Sequence, residues 1–348
     1  MTDQQSTRAL FADRVAVVVN GNAKQVTDDL VEVLDQIVQS GDLFVSRSLL
    51  EGDEIAETII RRGYPTVLTG GGDGTFVQMV TKITRAARDA EARAPRFGLL
   101  RLGTGNALAW VLGAQNERGR GVVADLGRLR LEGGSRKIRL LEVEGLLTPF
   151  AGLGLDAIAL DDYGVTKDRL RSNPLTRPIS AGGMAYLGAV LSRTIPNYVL
   201  RPHRTVTIVN TGEPVIRLGR DGAAVHSIQR GEVIYEGPTR MVAMSTIPYW
   251  GFGARIFPFA DDREDRFSLR VVDITSLQVA WNIRKIWKGT YRSDTIHDFL
   301  CESISVHYDE PHPLQIGGDP VGPRSDVQAR LAADPIEVVD YYAPPPVG

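Results

Sequence analysis

Thr66 to Thr69 reads as a short buried strand, and it runs without a break into Gly70-Gly71-Gly72-Asp73-Gly74-Thr75. From Phe76 the pattern is helical, with Phe76, Val77, Val80 and Ile83 on one side. A strand joined to a helix through so many glycines has few places in known architectures. Glycine has no Cβ, so the backbone can approach a ligand closely and adopt positive φ. Successive N–H groups form a nest for anions, and the following helix adds the positive end of its dipole. This chemistry favours phosphate. Asp73 alone would repel it. The aspartate fits if it shares a magnesium ion with the phosphates, or if it accepts a proton. The plain alternative is a tight glycine turn with a solvated aspartate.

The flanking sequence alternates between strand and helix. Val15 to Val19 is a continuous apolar, β-branched run, as expected for a strand buried on both faces. Asn20-Gly21-Asn22 ends it, Thr27 can cap a helix, and Leu30, Leu34, Ile37 and Val38 form one helical face. Leu43 to Val45 reads as a strand and Asp53 to Arg62 as a helix closed by Gly63. Phe97 to Leu102 is a further strand, running into Gly103-Thr104-Gly105-Asn106 and then a helix from Ala107 to Leu112. This order argues for a parallel sheet with helices on both faces, where ligands bind beyond the carboxyl ends of the strands. Three loops lie at that edge, Asn20 to Lys24, Gly70 to Thr75 and Gly103 to Asn106, and they are expected to converge. No GK[ST] follows either glycine loop, so neither is a Walker A motif. Neither is a GxGxxG dinucleotide fingerprint.

From about Thr148 the texture changes. Strand-like pieces dominate: Phe150 to Leu155, Thr205 to Val209, Val233 to Tyr235, Met241 to Ser245, Leu269 to Ile274 and Ser303 to His307. One helix is expected near Gly183 to Ser192, and an exposed hairpin or loop over Arg217 to Gln229. The fold class expected is therefore an α/β domain with a parallel sheet followed by a β-rich domain. A length of 348 residues also suits two domains.

Composition removes several classes of function. The net charge of −2 supplies no global basic field, so nucleic acid is not an expected partner. The single cysteine, Cys301, excludes a disulfide framework and a cysteine-rich zinc site, and it fits a reducing, cytoplasmic setting. Met1 to Arg14 lacks a signal-peptide apolar core, and no apolar run approaches the roughly 20 residues needed to span a bilayer. A membrane, if met, is expected to be met at its surface. The stretch Trp281, Ile283, Arg284, Lys285, Ile286, Trp287 and Lys288 holds no acid. It suits an anionic bilayer interface, or an ordinary helix with its apolar side on the core and its lysines in water.

Taken together, these motifs resemble the catalytic domain of the diacylglycerol kinase family, which includes the sphingosine and ceramide kinases. GGGDGT at Gly70 is the most specific piece, and Leu102 to Asn106 matches the family's second loop. Phe150 to Ala157 resembles the opening of the lipid-binding domain. Tyr249 to Gly253 and Phe257 to Ala260 resemble further segments of it, and Gln315 to Pro320 falls where the family carries a D-G-E motif. The resemblance implies a nucleotide domain over residues 1–148, rejoined by 321–348, and a β-sandwich lipid domain over 149–320. It implies ATP binding at Gly70, Gly71, Gly72, Gly74, Thr75, Gly103, Thr104, Gly105 and Asn106, with Asn20 and Ser48 assisting. It implies a lipid-headgroup contact at Asp156, and Mg²⁺ with ATP as co-substrate. It implies a lipid substrate met peripherally at the membrane from the cytoplasm, and it admits a homodimer.

The chain departs from the family at Ala107, Arg139 and Gly317, where acidic residues are usual. Its candidate base is Asp319, one methylene shorter than glutamate. Asp319 and Asp73 are the two catalytic candidates, Asp319 favoured as base and Asp73 as metal or phosphate organiser. The plain readings are a turn aspartate before Pro320 and, for Asp156, a surface acid between strands. The expected function is transfer of the γ-phosphate of ATP to a hydroxyl of a membrane lipid, of diacylglycerol or sphingoid type. A soluble-metabolite kinase remains open, because Gly71 to Phe76 also resembles NAD kinases, as does a binding protein with a degenerate catalytic site.

Overall fold

The computed structural model describes residues 14–22, 26, 28–38, 41–103, 105–114, 121, 125, 134–172 and 203–342. The chain divides into two compact units, residues 1–138 with 334–348, and residues 139–333. The expected helix near Gly183 to Ser192 lies outside the described residues.

In the first unit the order is β1 (Val15–Asn20), α1 (Asp28–Ile37), β2 (Leu43–Ser46), α2 (Leu49–Arg62), β3 (Thr66–Gly71), α3 (Asp73–Asp89), β4 (Arg96–Arg101), α4 (Ala107–Leu112) and β5 (Gly134–Ile138). The chain returns late to add β18 (Ile336–Asp340). The sheet runs β2-β1-β3-β4-β18-β5. Its pairings are parallel except that of β18 with β5. Ala16 to Val19, Val67, Leu68, Leu99 and Leu100 are fully buried, as expected of strands covered on both faces. The α2 helix shows why these boundaries hold. The Ser48 hydroxyl accepts the Glu51 N–H at its start, and Gly63, at φ 75°, ends it with bonds to the Ile59 and Ile60 carbonyls.

The second unit holds β6 (Leu141–Val143), β7 (Leu146–Thr148), β8 (Phe150–Gly154), α5 (Leu155–Ser172), β9 (Arg204–Asn210), β10 (Val215–Leu218) and β11 (Ala224–Ile228). It continues with β12 (Val233–Thr239), β13 (Met241–Ser245), β14 (Phe267–Val272), α6 (Ser276–Trp287), β15 (Ile296–Cys301), β16 (Ser303–Ile316) and β17 (Asp319–Leu331). Among the described residues twelve antiparallel strands form one continuously bonded sheet. The long strand β16 makes this possible. Its first half pairs with β9, its register shifts between His307 and His312, and its last residues pair with β8. The expected hairpin over Arg217 to Gln229 is the β10–β11 pair.

The dividing lines lie elsewhere than the sequence suggested, at 138 rather than 148 and at 334 rather than 321. The cause is that β6 and β7 form a hairpin whose first strand pairs with β17, which ties both segments to the second sheet. A second difference matters more for function. The stretch expected to be strand up to Leu155 turns into α5 after Gly154, at φ 94°, which places Asp156 in the first turn of a helix.

Candidate functional site: converging glycine loops and a buried carboxylate

Strand β1 has β2 on one side and β3 on the other, so the loops after β1 and β3 leave the sheet at a topological switch point. The described parts of the three loops do converge. Asn20 donates through Nδ2 to the Thr75 hydroxyl at 3.2 Å, linking the end of β1 to α3. The Gly21 N–H bonds the Ser46 carbonyl, and the Asn22 amide donates to the Arg47 carbonyl, which brings in the end of β2. A Cβ on Gly103 would lie 2.7 Å from the Gly72 nitrogen and clash with its Cα, so the two glycine loops touch backbone to backbone.

Gly70 and Gly71 belong to β3, Gly72 is the single residue before α3, and Asp73 begins the helix. None of these, nor Gly74 or Gly103, has positive φ. The sequence reading allowed for that conformation, but close approach is what the glycines serve. A Cβ on Gly70 would come 2.8 Å from Val19, and one on Gly71 would be 2.7 Å from the Thr75 Cβ. Gly72 has extended backbone and no side-chain cap. The first turn of the 17-residue α3 therefore offers its N–H groups and dipole at this point.

Asp73 is 8% exposed. Its carboxylate accepts the Ala107 N–H at 2.8 Å and the Leu108 N–H at 3.2 Å. It thus supplies, from the other loop, the cap that Asn106 does not give to α4. Asn106 takes the left-handed conformation, φ 46° and ψ 57°, which asparagine tolerates well. Its Nδ2 donates to the Gly103 carbonyl at 2.6 Å, and its buried Oδ1 has no partner among the described residues. Thr104 lies outside the described residues. Ser48 caps α2, as described, so its hydroxyl already serves the fold.

The magnesium expected at Asp73 can be weighed against this geometry. Among the described residues no group of three or more His, Cys, Asp or Glu side chains could hold a metal. Gly105 leaves room beside the Asp73 Oδ2, since a Cβ there would stand 3.6 Å away. These residues fit an ion taken by one carboxylate together with phosphate oxygens and water, which is how Mg²⁺ commonly binds, and not a protein-built cage. Arg101, stacked on Trp110 with 4.8 Å to the ring centroid, adds a cation that acts electrostatically on Asp73. Sequence reasoning passed over it, because an arginine at a strand end carries no motif.

The second unit holds a different kind of site. Asp156 is 1% exposed, which removes the reading of a surface acid. Its Oδ1 accepts the Ala157 N–H at 2.8 Å and its Oδ2 accepts the Gln315 amide at 3.1 Å. Gln315 in turn accepts the Gly318 N–H at 2.8 Å. Gly317 and Gly318, at φ 60° and 86°, form the two-residue turn between β16 and β17. Asp319 follows at the start of β17, exposed to solvent, and desolvation by its surroundings raises its carboxyl above the usual range. Burial drives Asp156 further, to about 7, against the lowering effect of its bonds to Gln315 and the backbone. Tyr308 is buried beside this group, its ring 4.8 Å from that of His312. Among the described residues its hydroxyl has no partner, and burial and the Asp156 charge raise its pKa. Gly152 is required here, because a Cβ would come 2.7 Å from the Asp156 Cγ. Neither Gln315 nor Tyr308 was given a role from sequence. The available signal was Gln315 standing directly before Ile316-Gly317-Gly318-Asp319.

Comparison with known proteins agrees with the motifs. Residues 14–143 match the family model described as the diacylglycerol kinase catalytic domain, which bears out the resemblance over that span. No curated protein matches the sequence. A solved diacylglycerol kinase from Bacillus anthracis str. Sterne aligns with TM-score 0.58 at 15% identity, covering 94% of this chain and 97% of its own. Two further structures from the same strain give TM-scores of 0.61 and 0.62 at 16% identity with the same coverage. At these identities the likeness concerns the fold, an α/β unit followed by a β-rich antiparallel one.

Proposed function

We propose, from the diacylglycerol kinase catalytic-domain match over residues 14–143 and the loops that converge there, that the chain is an ATP-dependent lipid kinase. The observation that carries this reading is the backbone contact of Gly72 with Gly103, locked by Asp73 across to α4. It leaves the amides of the first turn of α3 and the buried Asn106 side chain beside one another. Their fitting ligand is a polyphosphate.

In phosphoryl transfer the lipid hydroxyl oxygen bonds to the γ-phosphorus as the bond to the bridging β,γ-oxygen breaks and ADP departs. The transition state is loose, so the protein contributes mainly position and charge. Gly70, Gly71, Gly72, Gly74, Thr75, Gly103, Thr104, Gly105 and Asn106 are assigned to the nucleotide. Asn20 holds Thr75 in place, and Ser48 acts through the cap of α2. Asp73 orders the two loops and contributes one ligand to Mg²⁺, which offsets negative charge on the phosphates when bound. Asp319, at the start of β17, is assigned to receive the hydroxyl proton. Asp156 is assigned to the lipid headgroup. At a pKa of about 7 it holds a proton for much of the time and can donate to a headgroup oxygen.

Among the described residues no helix is long and apolar enough to cross a membrane. A lipid acceptor would be met at the bilayer surface, and homodimerisation is compatible with the scheme. Transfer of labelled γ-phosphate from Mg-ATP to mixed micelles containing diacylglycerol, sphingosine, ceramide or monoacylglycerol tests the proposal. The expected result is a labelled lipid whose formation falls at least about a hundredfold in Asp73→Asn. Label on no lipid, or on NAD in detergent-free buffer, would overturn it.

A further inference from the structure

Helix α6 carries two faces of opposite character. Val279 is buried, and Ile283 and Ile286 pack against the cluster formed by Phe257, Val272 and Ile274. That is the ordinary core-facing side. On the other side Leu277 is 75% exposed and Trp281 87% exposed. Arg284, Lys285 and Lys288 are exposed as well. At about 100° per residue, these five positions fall within an arc of roughly 100°, so they form one stripe. The capping box of Thr275 and Gln278 fixes the start of the helix and therefore its pose on the second unit. No acidic residue occurs from Ser276 to Ser293, and the three cations make no ion pair with any described residue.

We propose that this stripe is the surface by which the protein docks on an anionic lipid bilayer. The inference goes beyond the kinase reading and does not depend on it. A tryptophan left in water is costly, and its ring is suited to the depth of lipid headgroups. The cations beside it complement anionic headgroups, and long lysine and arginine stems let the charge reach them while the helix lies in the plane. A second copy of the chain fits poorly. A two-fold contact would set the same stripe against itself and bring like charges together.

The test is co-sedimentation of the full chain with vesicles of phosphatidylcholine alone or mixed with phosphatidylserine, without ATP, so that failure of the kinase reading leaves the result untouched. Binding is expected only with phosphatidylserine, and it should weaken as salt rises, since the screening length is about 10 Å at 0.1 M. Each cation near such a surface contributes about fivefold. The triple variant Arg284→Gln, Lys285→Gln, Lys288→Gln should therefore bind about a hundredfold more weakly. Trp281→Glu should lose at least about tenfold. Both variants should melt like the wild type, because the altered side chains are exposed. Wild type that ignores phosphatidylserine vesicles, or variants that bind them equally well, would overturn the proposal. So would a wild-type dimer in sedimentation velocity that Trp281→Glu dissociates with vesicle binding unchanged.

Discussion

In the first unit the main chain holds the candidate site, and in the second the side chains do. Gly72 meets Gly103 backbone to backbone, and the carboxylate of Asp73 ends on two amide N–H groups. Asp156 instead meets the side chain of Gln315, which reaches the turn before Asp319. The two aspartates are both buried, yet the arrangements suit different ligands. Amides and glycines offer a fixed nest whose shape does not depend on protonation. A carboxylate paired with a neutral amide in an apolar sheet has a charge that depends on pH. A phosphate chain needs the former, and recognition of a hydroxyl-bearing headgroup can use the latter.

The largest test of this contrast is the titration of Asp156. Its pKa is pushed from the ordinary 3.8 to about 7 by burial. The folded state thus binds the proton more tightly than the unfolded state, and stability falls as pH rises between those values. The loss amounts to about 4 kcal/mol and is complete above roughly pH 7. Urea unfolding of Asp156→Asn should therefore show a shallower pH dependence than wild type over that window. Parallel curves would mean that the carboxyl is not desolvated as described.

A smaller effect separates the two loop glycines. Gly103→Ala drives a Cβ into the backbone of Gly72 and should cost about 1–3 kcal/mol of stability as well as nucleotide binding. In Gly72→Ala the new Cβ meets only the Gly103 Cα, at 3.8 Å, so folding should be unchanged. If phosphate approaches Gly72 closely, that variant should still lose ATP affinity in calorimetry. Equal melting temperatures for the two variants would break the account of the loop contact.

Gln315→Leu removes the bridge from Asp156 to Gly318 and leaves a buried carboxyl and a turn amide short of a partner. It should destabilise by about 1–3 kcal/mol and lower lipid turnover while leaving ATP binding unchanged. Weaker ATP binding in this variant would blur the division between the units. The mildest change is Ser48→Ala, which removes the α2 cap and should cost about 1 kcal/mol. An ATP affinity that falls with no change in melting would reassign Ser48 from the fold to the ligand.

How much was legible follows the same division. The first unit could be read because buried parallel strands are uninterrupted apolar runs, as in Val15 to Val19, and because loop glycines are conspicuous. The Ala107 to Leu112 helix was read at its full length. The capping of α4 by Asp73 could not be read, because it joins positions more than thirty residues apart. In the second unit Met241 to Ser245 was legible, but α5 was not, because its apolar residues do not gather on one face and Gly154 hides the turn from strand to helix. Asp156 therefore looked like a strand-end acid. Its pairing with Gln315 spans most of the second unit, and local pattern holds no trace of it.

Amide hydrogen exchange on the full chain with and without Mg-ATP tests the central claim most directly. The account predicts new protection only at Gly71 through Thr75 and Gly103 through Asn106, because the Ala107 and Leu108 amides are already held by Asp73, and it leaves the β16–β17 turn unaffected. Mg-ATP that binds while leaving those amides unprotected would contradict it.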